Sequence, residues 1–478
     1  MRLGIPLLLV SSLLGGCAGR WCQRVGADHL PTWEARPCPP GWEGDLTCGQ
    51  VTVAAVPGEE GSCALELGVV RVAPSAAGAD AVPAILLPGG PGQTVLDHLP
   101  VLRPVLAGWH AHRPLLLLDP RGAGWSRPTL ACPPDRAGSV EEAFGGCGAH
   151  LRREGADLDA FRTERLADDV DAVLEALGYA RAHVVGGSYG TRWAQTLVAR
   201  HPDRVASLLL DAPAPWDERL LARGPTDFLV RLSALDAACA ADPGCTEVVD
   251  GVEATFWATA AAWDGEPARV RTGDHVVPLD GRALAVLTSE ALRHTALLPA
   301  VPALIAEAAR GEPASLARLL ALRAEAGVDP MLHRLVLCAD SLPGTPPPQT
   351  DPRLPAWDGF TQAQAVCAAL DVTPSADAVR TVPDLGVPTL VLTGAWDPTL
   401  PETWAARLAA RSTDGRAWVH PAAGHGVLRT DCGRATAEAW LADPHAFRPP
   451  PCWEDEPGPA WVRDPGPLLD RLEAEARR

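Results

Sequence analysis

The chain has 478 residues, a formal net charge of −18 and 47% hydrophobic residues. This length suffices for two or three compact units with a sizeable core. The acidic balance argues against a nucleic-acid partner, because no basic cluster is available to neutralise phosphates. Lys and Asn are absent and Arg, Ala, Gly and Pro are abundant, which is typical of a GC-rich bacterial genome and excludes N-glycosylation.

The first residues have the pattern of an export signal. Arg2 precedes an apolar run over residues 3–14 that is too short to span a bilayer. The run ends in Leu14-Gly15-Gly16-Cys17, which resembles the bacterial lipobox and predicts a signal peptide over 1–16 with a lipid on Cys17. An ordinary signal peptide with an incidental Cys is the alternative. Because Ala18 rather than Asp follows, the likeness to Gram-negative lipoproteins implies a protein anchored in the cell envelope, at the outer membrane or facing the periplasm.

The cysteine content agrees with export. Of 13 cysteines, 12 remain after Cys17 is set aside, an even number that suits an oxidising compartment. The sequence does not give their connectivity, but short loops favour Cys239–Cys245, Cys338–Cys367 and Cys432–Cys452. No CxxC pair and no His at ligand spacing is present, so we expect neither a metal nor a cofactor.

The predicted elements begin with a Cys- and Pro-rich lead-in and a β-hairpin of strands 51–56 and 65–72, together forming a segment over 17–80. Strands and helices then alternate, which predicts a parallel sheet with right-handed crossovers. The predicted strands cover 82–87, 114–118, 182–185 and 205–210, and the predicted helices cover 163–177 and 191–200.

This alternation stops after the strand at 205–210. Residues 215–382 are Ala- and Leu-rich with helical periodicity and predict a helical cap. Strands return at 388–393 and 417–420, followed by a helix near 434–441. The predicted architecture is therefore an α/β core formed by 81–214 and 383–478, with a mostly parallel sheet flanked by helices and interrupted by the cap.

The pentapeptide Gly186-Gly187-Ser188-Tyr189-Gly190 has the G-x-S-x-G pattern of a nucleophile elbow. It lies between a predicted strand and a predicted helix, which is the context that the motif requires. The sharp turn tolerates only small neighbours, and the helix N-terminus beneath it favours a developing oxyanion. Ser188 is thus the candidate nucleophile.

A nucleophilic serine needs a base and a carboxylate that orients this base. Asp397 and His425 each follow a predicted strand, in the chain order Ser, acid, His, and parallel strands end at the same edge of a sheet. We therefore predict Asp397 as the acid and His425 as the base. Asp211 is the rival acid and His420 the rival base.

A glycine-rich turn, Gly89-Gly90-Pro91-Gly92, follows the strand at 82–87. Glycines at such a turn let backbone N–H groups come close to a tetrahedral oxygen. The amides of Gly90 and Tyr189 are the predicted oxyanion hole.

These motifs, together with Asp119-Pro120-Arg121-Gly122-Ala123-Gly124-Trp125-Ser126, resemble the proline iminopeptidase and tripeptidyl aminopeptidase branch of the α/β-hydrolases. The cysteine pairs named above look like the secreted tripeptidyl aminopeptidase subgroup, and the likeness covers roughly 33–452. It implies the α/β-hydrolase fold and cleavage of a peptide bond near a free N-terminus. Pro120 and Pro88 depart from the residues that iminopeptidases usually carry, Gln and His.

An aminopeptidase also needs a carboxylate for the substrate ammonium, and Asp340 and Glu290 in the predicted cap are the candidates. The sequence thus predicts an exported serine aminopeptidase acting on peptide or small acyl substrates. A carboxylesterase or lipase with the same triad is the alternative, and a non-enzymatic surface lipoprotein is a third reading.

Overall fold

The computed structural model describes residues 21–476 except 41, 43–45, 76–81, 112, 133–137, 274, 325–326, 348–350, 352, 354–358, 377–379 and 456. The predicted signal peptide and the lipidation site at Cys17 lie outside the described residues. Within the described part, no helix combines the length and apolar character needed to cross a bilayer.

Twelve strands lie in the described part of the chain. They are β1 Arg24–Val25, β2 Thr32–Arg36, β3 Leu46–Ala54, β4 Ser62–Val72, β5 Ala84–Leu87, β6 Leu115–Leu118, β7 Ala182–Gly187, β8 Val205–Asp211, β9 Ala268–Thr272, β10 His275–Leu279, β11 Thr389–Gly394 and β12 Gly415–His420.

Sixteen α-helices accompany them in the same part of the chain. They are α1 Leu99–Leu106, α2 Val140–Arg153, α3 Thr163–Ala176, α4 Gly190–Arg200, α5 Leu220–Ala240, α6 Pro243–Thr246, α7 Val252–Gly265, α8 Gly281–Arg293, α9 Val301–Ala309, α10 Ala314–Ala324, α11 Pro330–Val336, α12 Gly359–Leu370, α13 Thr403–Ala409, α14 Asp431–Ala442, α15 Cys452–Asp455 and α16 Gly466–Ala476. A π-helical turn, Leu337–Ser341, continues α11, and short 3-10 turns lie at Leu158–Ala160, Pro202–Arg204, Leu298–Ala300 and Val427–Arg429.

A ten-stranded sheet forms the centre of the molecule, in the order β12-β11-β8-β7-β5-β6-β4-β3-β2, with β1 on β4. The six strands from β12 to β6 are parallel, and the hairpin β3–β4 joins them antiparallel through β6. The predicted hairpin and the mostly parallel sheet are thereby confirmed. The parallel strands β5 to β8 are short apolar runs because helices cover both faces.

Two clusters of buried side chains cover the two faces of this sheet. Residues of α2, α3, α4 and α12 pack on one face, and residues of α1 and α14 pack on the other. The carboxyl ends of β5, β7, β8, β11 and β12 consequently open onto the same edge, where loops converge.

The segment between β8 and β11 has two parts. Helices α5 and α7 to α10 form a second core around Phe228, Phe256 and Leu304, to which the loop after β11 and α16 add Trp396 and Leu469. Helices α11 and α12 instead add Leu335, Val366 and neighbouring side chains to the core of the sheet. The boundaries 215–382 for a separate cap stay a prediction.

The antiparallel hairpin β9–β10 within this segment was absent from the predicted elements. Its outward residues are mostly polar, and only Val270 and Leu279 are buried. So short an alternation is not distinguishable from the surrounding helical periodicity.

Six disulfides are formed in the described part of the chain. The three predicted pairs, Cys239–Cys245, Cys338–Cys367 and Cys432–Cys452, are confirmed. The others are Cys22–Cys63, Cys38–Cys48 and Cys132–Cys147, of which the first staples the lead-in to β4. Such a set is typical of a chain that folds in an oxidising compartment.

Candidate active site

Ser188 lies on the turn between β7 and α4 with φ +55°, a left-handed conformation unusual for a residue other than glycine. Its N–H donates to the carbonyl of Asp211 at 2.8 Å, and its own carbonyl accepts from the Thr191 hydroxyl at 2.6 Å. A Cβ at Gly190 would lie 2.1 Å from the carbonyl oxygen of Leu87, so the turn excludes any side chain there. Local backbone bonds and close packing therefore hold the serine in this strained position.

Asp397 follows β11 and is fully buried. Its Oδ1 accepts the N–H groups of Thr399 at 2.8 Å and Leu400 at 3.1 Å, and its Oδ2 lies 2.7 Å from Nδ1 of His425. Burial raises the pKa of Asp397, but the charge on His425 and the hydrogen bonds outweigh this, so that the pKa lies below its usual value. The carboxylate is thus kept ionised beside the imidazole.

His425 lies in the loop that follows β12. Its N–H donates to the carbonyl of Arg293 at 2.8 Å, and the preceding Gly424 donates to the Thr295 hydroxyl at 3.1 Å. A Cβ at Gly424 would stand 2.1 Å from the carbonyl oxygen of Leu292, which is why this close approach requires glycine. The C-terminal end of α8 therefore positions the histidine loop.

The second imidazole nitrogen of His425, Nε2, is buried and has no hydrogen-bond partner within the described residues. Ser188 and His425 both line one cavity of about 500 Å³. The structure thus brings the predicted acid and base into contact and puts the predicted nucleophile in the same cavity. An unpaired Nε2 there is available to accept a proton.

The rival residues have other partners. Asp211 ends β8 and accepts the N–H groups of Val427 at 2.9 Å and Leu428 at 3.0 Å, just after the histidine. His420 is 1% exposed, and its Nδ1 accepts the N–H of Ala422 at 3.2 Å. Asp211 braces the histidine loop without bonding the imidazole, so the geometry favours Asp397 and His425.

The glycine turn lies directly against the nucleophile. A Cβ at Gly89 would lie 3.1 Å from Cβ of Ser188, and Gly90, with φ +106°, lines the cavity. Among the described residues, the N–H groups of Gly90 and Tyr189 have no hydrogen-bond acceptor. Two unsatisfied amides beside a nucleophile suit an oxyanion.

Asp340 does not lie where a substrate ammonium would need it. It is 1% exposed, and its carboxylate accepts from the N–H of Thr163 at 2.9 Å and the hydroxyl of Ser375 at 2.5 Å. The Thr163 hydroxyl bonds both this carboxylate and the phenol of Tyr189. Asp340 thus tethers α3 beneath the serine turn, and the predicted contact with substrate is wrong for this residue.

Glu290, the other predicted candidate, does line the cavity, on α8. Its Oε1 lies 3.3 Å from Nε2 of His294. Three further cavity residues were not singled out from the sequence: Arg293, His333 and Arg429. They belong to no motif, and the position of Arg429, four residues after His425, was the sole available signal.

Apolar side chains form another part of the cavity wall. They come from β5, the loop after it, α1 and the turn that follows α1, and include Leu86, Val95, Leu102, Leu106 and Trp109. No group of three His, Cys, Asp or Glu side chains suited to a metal ion occurs in the part of the chain that the structure describes.

The sheet order, the serine turn and the His425–Asp397 pair define an α/β-hydrolase, and a family model described as alpha/beta hydrolase fold matches residues 83–244. A second family model, described as TAP-like protein, matches residues 355–449. The chain therefore has the α/β-hydrolase fold, and its C-terminal part is similar to TAP-like proteins.

Among curated proteins, the serine protease Hip1 of Mycobacterium tuberculosis and that of Mycobacterium bovis are each 28% identical over 196 residues. The match covers 36% of this chain and 37% of each relative, so well under half of their length is matched. Together with the fold, these findings support a serine hydrolase.

Solved structures show a more general likeness. An esterase from Thermogutta terrifontis is 17% identical, with a TM-score of 0.36 over 83% of this chain and 99% of its own. A serine hydrolase from Cycloclasticus zankles is 14% identical, with a TM-score of 0.37 over 84% of this chain and 95% of its own.

Proposed function

We propose that this protein is an exported serine aminopeptidase, with Ser188 as nucleophile, His425 as general base and Asp397 as the orienting acid. One observation carries the proposal. His425 bonds the buried Asp397 at 2.7 Å through Nδ1, and its unpaired Nε2 belongs to a side chain that lines the cavity of Ser188. An imidazole held in this way accepts a proton at Nε2.

In the first half of the reaction, His425 takes the hydroxyl proton of Ser188 while the oxygen attacks the substrate carbonyl carbon. The carbonyl oxygen becomes an oxyanion, which the amides of Gly90 and Tyr189 stabilise. The tetrahedral species then collapses, the C–N bond breaks, and the leaving amine takes the proton from His425.

In the second half, water attacks the ester between substrate and Ser188. His425 removes a proton from this water and then returns it to the serine oxygen as the acid product leaves. Asp397 stays ionised throughout and stabilises the imidazolium, in keeping with its lowered pKa.

The preference for peptides with a free N-terminus draws on two further points. The C-terminal part of the chain matches the TAP-like model, and part of the chain is similar to a serine protease. Glu290 also presents a carboxylate at the cavity wall, as the ammonium of such a substrate requires. We retain Glu290 as the proposed amine contact.

A carboxylesterase is the second candidate because of the apolar wall formed by Leu86, Leu102, Leu106 and Trp109. Such a wall suits an aliphatic acyl group as well as an apolar side chain. Export is supported by the six disulfides, and the lipid anchor at Cys17 remains part of the proposal.

Activity on matched chromogenic substrates separates these functions. We expect an alanyl or trialanyl p-nitroanilide to be hydrolysed and its N-acetylated twin to be turned over at least about tenfold more slowly, since one lost ionic contact costs about 1.4 kcal/mol or more. Ser188→Ala provides the blank. Indifference to acetylation together with faster hydrolysis of p-nitrophenyl butyrate would establish the esterase instead. Failure of the folded protein to react with a fluorophosphonate at Ser188 would favour the non-enzymatic reading.

A further inference from the structure

Two arginines, Arg293 and Arg429, line the cavity of Ser188 and His425. Within the described residues, neither guanidinium has a hydrogen bond or an ion pair. Other arginines near the sheet are hydrogen-bonded. Arg121 and Arg192, for example, each use several donors on buried acceptors.

The two arginines come from different elements. Arg293 is the last residue of α8, one turn beyond Glu290, and its carbonyl holds the N–H of His425. Arg429 ends the 3-10 turn that follows His425 directly. Both side chains therefore start from backbone that lies next to the catalytic histidine in space or in sequence.

The surroundings of Arg429 keep it cationic and accessible. Its side chain is exposed, and since it lines the cavity, it meets the cavity's solvent. The cavity nevertheless lies deep in the protein, so that the surrounding protein partly desolvates the guanidinium and lowers the pKa of Arg429 from 12.5, while the nearby Asp211 raises it again. A guanidinium remains protonated near neutral pH after such a change.

The acids of the cavity wall have other hydrogen-bond or ion-pair partners. Asp211 gives both oxygens to backbone amides, and Glu290 lies within 3.3 Å of His294. No ion pair within 4 Å joins Asp211 to Arg293 or Arg429 in the described part of the chain. Two cations thus remain that an incoming anion could neutralise.

We propose that Arg293 and Arg429 form a subsite for a carboxylate group of the substrate. A guanidinium donates two parallel N–H bonds to a carboxylate, and this geometry makes arginine the preferred partner of that group. The inference rests on the proposed function, since Ser188 and His425 mark where the cleaved bond must lie. It narrows the substrate to a molecule that places a carboxylate within the cavity.

The carboxylate has two sources in a peptide. It is the C-terminus of a short peptide, which would restrict the enzyme to peptides of a few residues, or it is the side chain of an acidic residue near the cleaved bond. The chemistry of recognition is the same for both, so the ligands of the test must separate them.

Binding to the Ser188→Ala variant, measured by titration calorimetry, tests the subsite without turnover. The ligands are trialanine, trialanine amide and a tripeptide amide with a central glutamate. We expect trialanine or the glutamate peptide to bind at least tenfold more tightly than trialanine amide. Whichever of the two is favoured identifies the source of the carboxylate.

Second substitutions in the same background assign the preference to the arginines. Arg293→Gln or Arg429→Gln should abolish it, and Arg429→Lys should keep part of it. Arg282→Gln, at an exposed position of α8, should keep it in full. Thermal melting verifies that each variant is folded, and Arg429→Lys serves if a glutamine variant is not.

Equal affinity for all three ligands, no binding of any, or a preference that survives both glutamine substitutions would overturn the subsite. A carboxylate preference in a protein that does not react with fluorophosphonate would leave the subsite and overturn the triad. Hydrolysis of free-amine substrates without any carboxylate preference would leave the proposed function and overturn the subsite.

Discussion

Two buried aspartates, Asp211 at the end of β8 and Asp397 in the loop after β11, differ in what their carboxylates accept. Asp397 gives one oxygen to two backbone amides and the other to the imidazole of His425. Asp211 gives both oxygens to the amides of Val427 and Leu428. The first orients a base, and the second fixes the loop that carries it.

Replacing each aspartate by asparagine should separate these roles. Asp397→Asn should lower kcat by about 10³- to 10⁴-fold, since an amide there favours the wrong tautomer of His425. Asp211→Asn should mainly lower the thermal midpoint, because the amide NH2 cannot accept a backbone N–H, at a cost of about 1–3 kcal/mol. Steady-state kinetics and melting curves measure both effects, and a larger loss of kcat in Asp211→Asn would reverse the assignment.

At the scale of the elements, the loop after β6 is held by a buried ion pair. Arg121 bonds both oxygens of Asp169 on α3, at 2.8 and 2.6 Å, and donates to the carbonyls of Ala55 and Ala160. The side chains of the pair are 0% and 1% exposed. The guanidinium of Arg121 thus joins α3, the turn between β3 and β4, and the 3-10 turn Leu158–Ala160. This gives a physical role to the Arg of the Asp119–Ser126 motif.

Removing one partner of this pair should be costly. Arg121→Met leaves the Asp169 carboxylate buried without compensation, and we expect a loss of about 3–5 kcal/mol in the free energy of unfolding. The double variant Arg121→Met/Asp169→Leu should recover part of this loss, since no charge remains. Urea unfolding followed by tryptophan fluorescence measures both variants.

Arg310 provides the matched control for that measurement. Its ion pair with Glu312 is exposed, so Arg310→Gln should change the stability by less than about 1 kcal/mol. A loss of similar size in Arg121→Met and Arg310→Gln would contradict the structural role assigned to the buried pair.

At the scale of the whole molecule, the catalytic histidine depends on the segment inserted between β8 and β11. The carbonyl of Arg293 and the hydroxyl of Thr295 hold the loop of His425. The same helix, α8, contributes Glu290 and Arg293 to the cavity. Insertion and sheet therefore form one site, and residues far apart in the sequence set its charge.

The stability of the molecule should depend on pH through His183 on β7. Burial, and then the positive charge of Arg113, lower the pKa of this imidazole from 6.5 to about 3. The folded state thus favours the neutral form, so its stability is complete above pH 6.5 and falls as the pH drops towards 3. The slope is at most about 1.4 kcal/mol per pH unit.

Thermal melting at pH 7 and pH 4.5 checks this dependence. His183→Gln should lose less of its thermal midpoint between the two pH values than the parent protein, by the equivalent of about 2–3 kcal/mol. His275→Gln, at an exposed position of β10, should behave like the parent. Identical acid sensitivity in all three proteins would exclude His183 as the cause.

The sequence by itself determined the parts of this protein that local pattern encodes. Short apolar strands, each followed by a glycine turn or a chemically distinctive residue, predicted the parallel sheet and the serine turn. Since parallel strands end at one edge of a sheet, the order Ser188, Asp397, His425 also predicted which loops meet. Short loop spacing also favoured the three local disulfides, although it did not fix the connectivity of all twelve cysteines.

Only the tertiary structure decided which polar groups are satisfied by the protein and which remain for a substrate. From the sequence alone, Asp340 and Glu290 were equal candidates for the contact with the substrate ammonium. In the structure, the carboxylate of Asp340 is enclosed by Thr163 and Ser375, whereas Glu290 lines the cavity. Arg293 and Arg429 belong to no motif and line one cavity because the end of α8 bonds the histidine loop. Burial and the choice of partner depend on contacts between distant segments, and no local periodicity carries that information.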